Sequence, residues 1–302
     1  MDIYLPIAEL SVDLYLLLGL GAAVGFMSGL FGVGGGFLMT PLLILMGIPP
    51  PVAVGSQAAQ ILASSVSGVL AHLRRRTVDF RMGWVLTAGG LVGSVLGVWL
   101  FAWLRRLGHI DLVINVTYVL FLGTIAGIML VESLGTLLRS RRGTTPRRRE
   151  HHWAHGWPFR MRFPTSRLYI SALLPLLIGA GGGVLAAVLG IGGGFVMVPA
   201  MIYLIGMPTA VVVGTSLFQI CFVAAATTLL QAWANHTVDI MLALLLIAGG
   251  VVGAQFGTRA AVHLRGEHLR LLLALLVLAV CGKLALDLVV PPTDPFSIAG
   301  SA

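Results

Sequence analysis

Phe31-Gly-Val-Gly-Gly-Gly-Phe-Leu-Met-Thr-Pro41 and Leu189-Gly-Ile-Gly-Gly-Gly-Phe-Val-Met-Val-Pro199 are two copies of one pattern, set 158 residues apart. The likeness extends downstream. Gly47-Ile-Pro49 recurs as Gly206-Met-Pro208, Val54-Gly-Ser56 as Val213-Gly-Thr215, and Gln60 as Gln219. Thr77-Val-Asp79 returns as Thr237-Val-Asp239, and Gly89, Gly90 and Gly93 as Gly249, Gly250 and Gly253. The spacing drifts only from 158 to 160 residues, so the chain is an internal duplication.

Around these motifs the sequence is strongly apolar: of 302 residues, 58% are hydrophobic and 10% charged, with a mean hydropathy of +0.98. Such values lie outside the range of soluble domains and indicate an integral membrane protein. Apolar runs long enough to cross a hydrocarbon core fall near 11–30, 52–72, 82–104, 112–138, 168–190, 209–233, 240–263 and 269–290. Two shorter pieces, 37–48 and 195–206, each follow a glycine cluster and read as broken or re-entrant helices. The expected fold is an all-α polytopic transmembrane bundle of eight spanning and two short helices. A barrel is excluded, because its strands alternate in polarity and these runs do not. Cys221 and Cys281 both lie inside apolar runs, which excludes a disulfide framework. Met1 to Asp13 contains three acidic residues and no basic one, which predicts a retained segment and not a signal peptide.

The net charge of +8 comes from arginines and a single lysine, Lys283, mostly in the gaps between apolar runs. Membrane topology accounts for it without nucleic acid. Arginine is densest from Arg139 to Arg167, where His151, His152 and His155 also occur; this is a basic linker with no accompanying metal-ligand cluster. The expected organisation is a transmembrane repeat over 1–138, the linker over 139–167 and a second repeat over 168–302. Five segments per repeat force the second copy to insert upside down relative to the first. Loop charge agrees: Arg74, Arg75, Arg76 and Arg81 follow the third segment of the first half, where the second half has Asn235, His236 and Asp239. Residues 73–81, 139–167 and 259–270 are thus expected on the cytoplasmic side and both termini outside, with Arg105 and Arg106 as exceptions.

Non-helical backbone at membrane depth is tolerated only where protein buries it or water lines it. A helix that starts after such a stretch presents unpaired N–H groups and a positive dipole end, which suits an anion. Gly34, Gly35, Gly36 and Phe37, with Gly192, Gly193, Gly194 and Phe195, are therefore candidate substrate-binding residues. Their alternative role is close helix packing. On the next helix Ser56 and Gln60 share a face, as do Thr215 and Gln219, with Ser216 beside them. These neutral groups can hydrogen-bond an oxyanion or simply join helices; glutamine, costly to bury unpaired, is the better candidate. Charges within segments are few. Glu132 and Asp287 are candidates for ion or proton coupling, although Lys283, four residues from Asp287, offers that residue a plain partner. No nucleophile elbow, Walker loop, dinucleotide fingerprint or zinc-ligand spacing occurs, so neither enzyme activity, cofactor nor metal is expected.

The paired Gly32-Val-Gly-Gly-Gly-Phe37…Pro41 and Gly190-Ile-Gly-Gly-Gly-Phe195…Pro199, with Gly55-Ser56 and Gly214-Thr215-Ser216, resemble the TauE/SafE sulfite exporter family of permeases. The similarity runs through nearly the whole chain. It implies movement of a sulfur-containing anion, such as sulfite, sulfoacetate or another sulfonate, across a bacterial inner membrane. The expectation is a secondary transporter, an exporter in type by that resemblance, whose partners are its small anionic substrate and the bilayer and which is compatible with a homo-oligomer. An anion channel and a non-transporting scaffold are the alternatives. The chain departs from a compact member in its Arg-rich linker, and Ala58 stands opposite Leu217, so the two half-sites are not equivalent.

Overall fold

The computed structural model describes residues 2–31, 36–140, 160–166, 168–261 and 266–289. A short hairpin, β1 (Asp2–Leu5) and β2 (Leu10–Asp13), leads into α1 (Leu14–Phe31), α2 (Gly36–Leu45), α3 (Pro50–Arg74), α4 (Phe80–Arg106) and α5 (Ile110–Ser140). The second half repeats the order. Hairpin β3 (Arg160–Phe163) and β4 (Leu168–Ser171) precedes α6 (Leu173–Leu189), α7 (Gly194–Ala200), α8 (Thr209–Leu230), α9 (Ile240–Ala261) and α10 (Gly266–Val289).

The architecture is helical, as the apolar runs predict, and the hairpins are an addition to it. Both are antiparallel, with Asp2 opposite Asp13 in the first and Arg160 opposite Ser171 in the second. All four of these positions match across the halves at an offset of 158, so the structural equivalence begins at Arg160, inside the basic segment.

Among the described residues, three helical stretches are long and apolar enough to cross a membrane: Phe80–Arg106, Val211–Asn235 and Ile240–Gly257. Leu14–Met27, Ile110–Thr124, Leu173–Leu189 and Val196–Ile205 are apolar but shorter. The 25 residues of α3 include Ser56, Gln57, Gln60, Ser64, Ser65 and Ser67, which lower its apolarity. Large apolar side chains such as Trp99, Leu229, Trp233 and Ile240 face outward. A surface of that kind needs lipid or protein to cover it, as in a multi-pass membrane protein.

The drifting repeat distance has a structural cause. The offset is 158 up to Pro199, 159 from Gly206 to Gln219 and 160 from Thr237 onward. Each added residue sits in a π-helical turn that has no counterpart in the first half. The first, Met201–Ile205, extends α7, and the second, Gln231–Asn235, extends α8. A residue inserted in a helix is accommodated by widening one turn to i→i+5 bonding. Accordingly, the N–H of Gly206 donates to the Met201 carbonyl and that of His236 to the Gln231 carbonyl.

Contacts divide the chain into two units, residues 1–110 with 145–264, and residues 111–144 with 265–302. In the second unit α5 meets α10, where the Cys281 thiol lies 3.3 Å from the Val119 carbonyl oxygen. In the first, α1 packs along α9, α4 along α6, and α3 against α8. Glycine permits the first two pairings at backbone distance. A Cβ at Gly93 of α4 would lie 2.0 Å from the Ala180 carbonyl oxygen of α6, and one at Gly253 of α9 would lie 2.0 Å from that of Ala22 in α1. Each helix pair therefore joins one half of the chain to the other by the same contact.

Hydrogen bonds repeat that exchange. Asp79 caps α4 by accepting from the Met82 N–H at 3.2 Å, and Asp239 begins α9 by accepting from the Leu242 N–H at 3.1 Å. The Asp79 N–H donates to Thr215 Oγ1 at 3.0 Å, and the Asp239 N–H to Ser56 Oγ at 2.8 Å. The second carboxylate oxygen of each aspartate takes donors from the opposite half's hairpin: Ser166 N–H and hydroxyl for Asp79, Ile7 N–H for Asp239.

Candidate functional site

The site is built where α3 and α8 meet in the larger unit. Ile61, Ile220 and Ala224 form a buried apolar cluster there. Gly36, the first residue of α2, comes close: a Cβ on it would lie 2.4 Å from Ile61 Cδ1 and 2.9 Å from the Ile191 carbonyl oxygen. Gly192 borders the same side chain, its Cβ position being 2.7 Å from Ile61 Cγ2. The start of α2 and the glycine cluster before α7 thus converge on Ile61. Gly190, Gly192 and Gly193 hold φ of +68°, +72° or between, the left-handed region that lets the chain turn from α6 into α7.

One residue from Ile61 and from Ile220 stand the two equivalent glutamines, Gln60 and Gln219, which are 2% and 0% exposed. Each faces a glycine of the helix beside it. A Cβ on Gly250 of α9 would lie 2.6 Å from Gln60 Nε2, and one on Gly90 of α4 would lie 2.7 Å from Gln219 Nε2. Glycine at these places leaves room for the amide, and among the described residues nothing satisfies it fully. Gln60 Oε1, Gln219 Oε1 and Gln219 Nε2 are buried without a hydrogen-bond partner. An unmet buried polar group costs about 1–3 kcal/mol, so two such residues at matching positions call for a ligand or water to complete them.

The remaining candidates divide. Gly36 and Gly194 begin α2 and α7, and Gly192 and Gly193 line the approach to α7. Phe37 and Phe195 occupy the second position of each helix, their side chains outside the described part of the structure. Gly34 and Gly35 lie outside the described residues. Ser56 and Thr215 are buried and accept the Asp239 and Asp79 backbone N–H groups, while Ser216 donates to the Val213 carbonyl at 3.0 Å. Of the polar stripe on α3, Ser64 donates to the Ile61 carbonyl at 3.0 Å and Ser67 is exposed. Asp287 and Lys283 are exposed on α10, in the smaller unit. Glu132 lies on α5 in that unit, its side chain outside the described part.

Two residues near the site escaped the sequence reading. Thr40 donates to Gln57 Oε1, and Gln57 Nε2 donates to the Gly36 carbonyl, which ties the start of α2 to α3. Their counterparts are Val198 and Ser216, so this tie exists only in the first half. A search for repeated residues passes over it for that reason.

The helical fold, the apolar outward-facing side chains and the length of the apolar helices are those of a multi-pass membrane protein. The family model of Sulfite exporter TauE/SafE matches residues 17–284, and the chain belongs to that family. A probable membrane transporter protein of Xylella fastidiosa (strain 9a5c) is 32% identical over 273 residues, covering 89% of this chain and 93% of the relative. The probable membrane transporter protein YjnA of Bacillus subtilis (strain 168) is 28% identical over 86% of this chain and 94% of its own length. One from Methanocaldococcus jannaschii is 25% identical over 88% and 93%. No solved structure matches the chain. The protein is accordingly a member of a membrane transporter family and not an enzyme.

Proposed function

We propose that this chain is a secondary transporter, of exporter type, for a sulfur-containing anion such as sulfite, sulfoacetate or another sulfonate. The substrate is held between two inverted half-sites, one centred on Gln60 and Gly36, the other on Gln219 and the Gly192–Gly194 turn. The carrying observation is the pair of buried glutamines at equivalent positions with unmet polar atoms. Their amides can donate to oxyanion oxygens without adding a charge that must be desolvated. The exchange of contacts between halves, α1 with α9 and α4 with α6, supports an inverted repeat whose two parts rock about the site. In this reading the second repeat starts with its hairpin at Arg160, within the end of the 139–167 linker.

The reading sets the protein in the inner membrane with both termini outside and residues 139–167 cytoplasmic. Arg105, an exception to the charge rule, donates to the Asn235 carbonyl, so a structural contact supports its position at the outer end. Glu132 and Asp287 remain the proposed coupling residues.

The test is thermal unfolding of detergent-purified protein against sulfite, ethanesulfonate, taurine, sulfate and chloride. Stabilisation by a sulfur oxyanion, lost in Gln60→Ala and Gln219→Ala, is expected. Folded protein indifferent to every anion would overturn the reading and favour a scaffold.

A further inference from the structure

The second hairpin brings two arginines together at the start of α4. Its Phe163 and Ile170 pack with Met82 and Leu86 of α4 in one buried cluster. Side chains alternate along a strand, so Arg162 and Tyr169, opposite each other in the register, take the outer face. The Arg162 guanidinium carbon lies 5.8 Å from the centre of the Tyr169 ring, and Arg81 of α4 donates through Nη1 to the Arg162 carbonyl at 3.5 Å. Both arginines are exposed, and among the described residues neither has a carboxylate partner. Asp79, two residues before Arg81, is buried and already accepts from Met82 and Ser166.

Beside them is an aromatic wall. Phe80 and Trp84 of α4 and Phe222 of α8 are exposed around Phe218, with ring centres 5.1 to 5.6 Å apart. The duplication provides an internal comparison. At the equivalent place in the other half, Arg81 and Arg162 are Met241 and Tyr4, while Phe80, Trp84, Phe218 and Phe222 are Ile240, Leu244, Ala59 and Ala63. Paired charge and clustered rings therefore belong to one end of the molecule and not to the repeat. Trp84 and Trp103, exposed toward opposite ends of α4, stand roughly 28 Å apart along the helix, about the thickness of a hydrocarbon core. Tryptophans at that separation mark the two membrane interfaces, which sets Arg81, one turn outside Trp84, at headgroup depth.

We propose that this face binds an anionic phospholipid. The headgroup phosphate lies between Arg81 and Arg162, and an acyl chain runs along Phe80, Trp84 and Phe222. Two guanidiniums match the charge and the oxygens of a phosphate. Among the described residues no free carboxylate stands beside them to take the ammonium of a zwitterionic headgroup, so a lipid of net negative charge is preferred. The proposal is independent of what the two glutamines hold.

Native mass spectrometry of the detergent-purified full chain would measure binding of phosphatidylglycerol, phosphatidylcholine and water-soluble glycerol phosphate. Wild type would be compared with Arg81→Gln plus Arg162→Gln, Arg74→Gln plus Arg75→Gln, and Trp84→Ala, each first checked for a cooperative unfolding transition. Loss of Arg81 and Arg162 should weaken phosphatidylglycerol about tenfold or more and leave phosphatidylcholine unchanged. Trp84→Ala should weaken both lipids. Arg162→Gln alone, which keeps the backbone carbonyl that Arg81 uses, should show a smaller loss of the same kind. Arg74 and Arg75, exposed at the end of α3, carry the same charge, and their removal should cost far less. Three results would overturn the proposal: equal binding of both lipids by wild type, equal loss in the two double variants, which is diffuse attraction, or glycerol phosphate bound as tightly as phosphatidylglycerol, which is a site for free phosphate.

Discussion

The Asp79 carboxylate and Ser166 are joined twice, through the Ser166 N–H at 2.9 Å and its hydroxyl at 2.7 Å, both to Oδ2. This fastens the second hairpin to the start of α4. Among the described residues, the equivalent Asp239 receives one donor from the first hairpin, the Ile7 N–H at 2.9 Å. Removing the Ser166 hydroxyl should cost about 1–2 kcal/mol, read as a lower unfolding temperature in detergent for Ser166→Ala. Asp79→Ala should be more damaging than Asp239→Ala, because it strands three donors where Asp239→Ala strands Leu242 and Ile7 N–H groups. Equal losses would contradict the asymmetry.

Glycine substitutions should separate by contact. Gly93→Ala and Gly253→Ala push a methyl into a carbonyl oxygen of the facing helix, where only backbone movement relieves the clash. Each should destabilise by about 1–3 kcal/mol or more. Gly181 of α6, with nothing within 4 Å of its Cβ position, should accept alanine with unchanged or higher unfolding temperature. The comparison needs only the three variants and a thermal ramp.

Gln231 holds the wide turn that ends α8. Its Nε2 donates to the Ala187 carbonyl at 2.9 Å, and its Oε1 accepts from Asn235 Nδ2 at 2.6 Å and Thr237 Oγ1 at 3.4 Å. Gln231→Ala would leave several buried groups unmet and should cost about 2–4 kcal/mol. Gln231→Glu keeps the acceptor and loses the donor, so its unfolding temperature should fall between alanine and wild type.

Much of this was legible in the sequence because a duplication exposes whatever both copies keep. The glycine clusters, Gln60 with Gln219, and the helical class were visible in that way. The drift from 158 to 160 was visible too, but a number cannot say that a helix widens at Met201–Ile205 and Gln231–Asn235. Four-residue strands give too little alternation to stand out beside long apolar runs, so the hairpins went unread. Asp79 and Asp239 stood out as repeated residues, yet their partners lie 87 and 232 positions away, and only the fold pairs them. Ser56 and Thr215 share a face with the glutamines as expected, but accept backbone N–H groups from the opposite half. Thr40 and Gln57 occur in one copy only and left no repeat signal.

The central claim is that Gln60 and Gln219 jointly hold the transported anion. It is tested most directly by sulfite and ethanesulfonate flux into proteoliposomes containing wild type, Gln60→Ala or Gln219→Ala at matched reconstitution. The account predicts saturable flux of at least one anion in wild type, reduced about tenfold or more by either substitution. Flux in both variants equal to wild type, in protein of equal thermal stability, would contradict it.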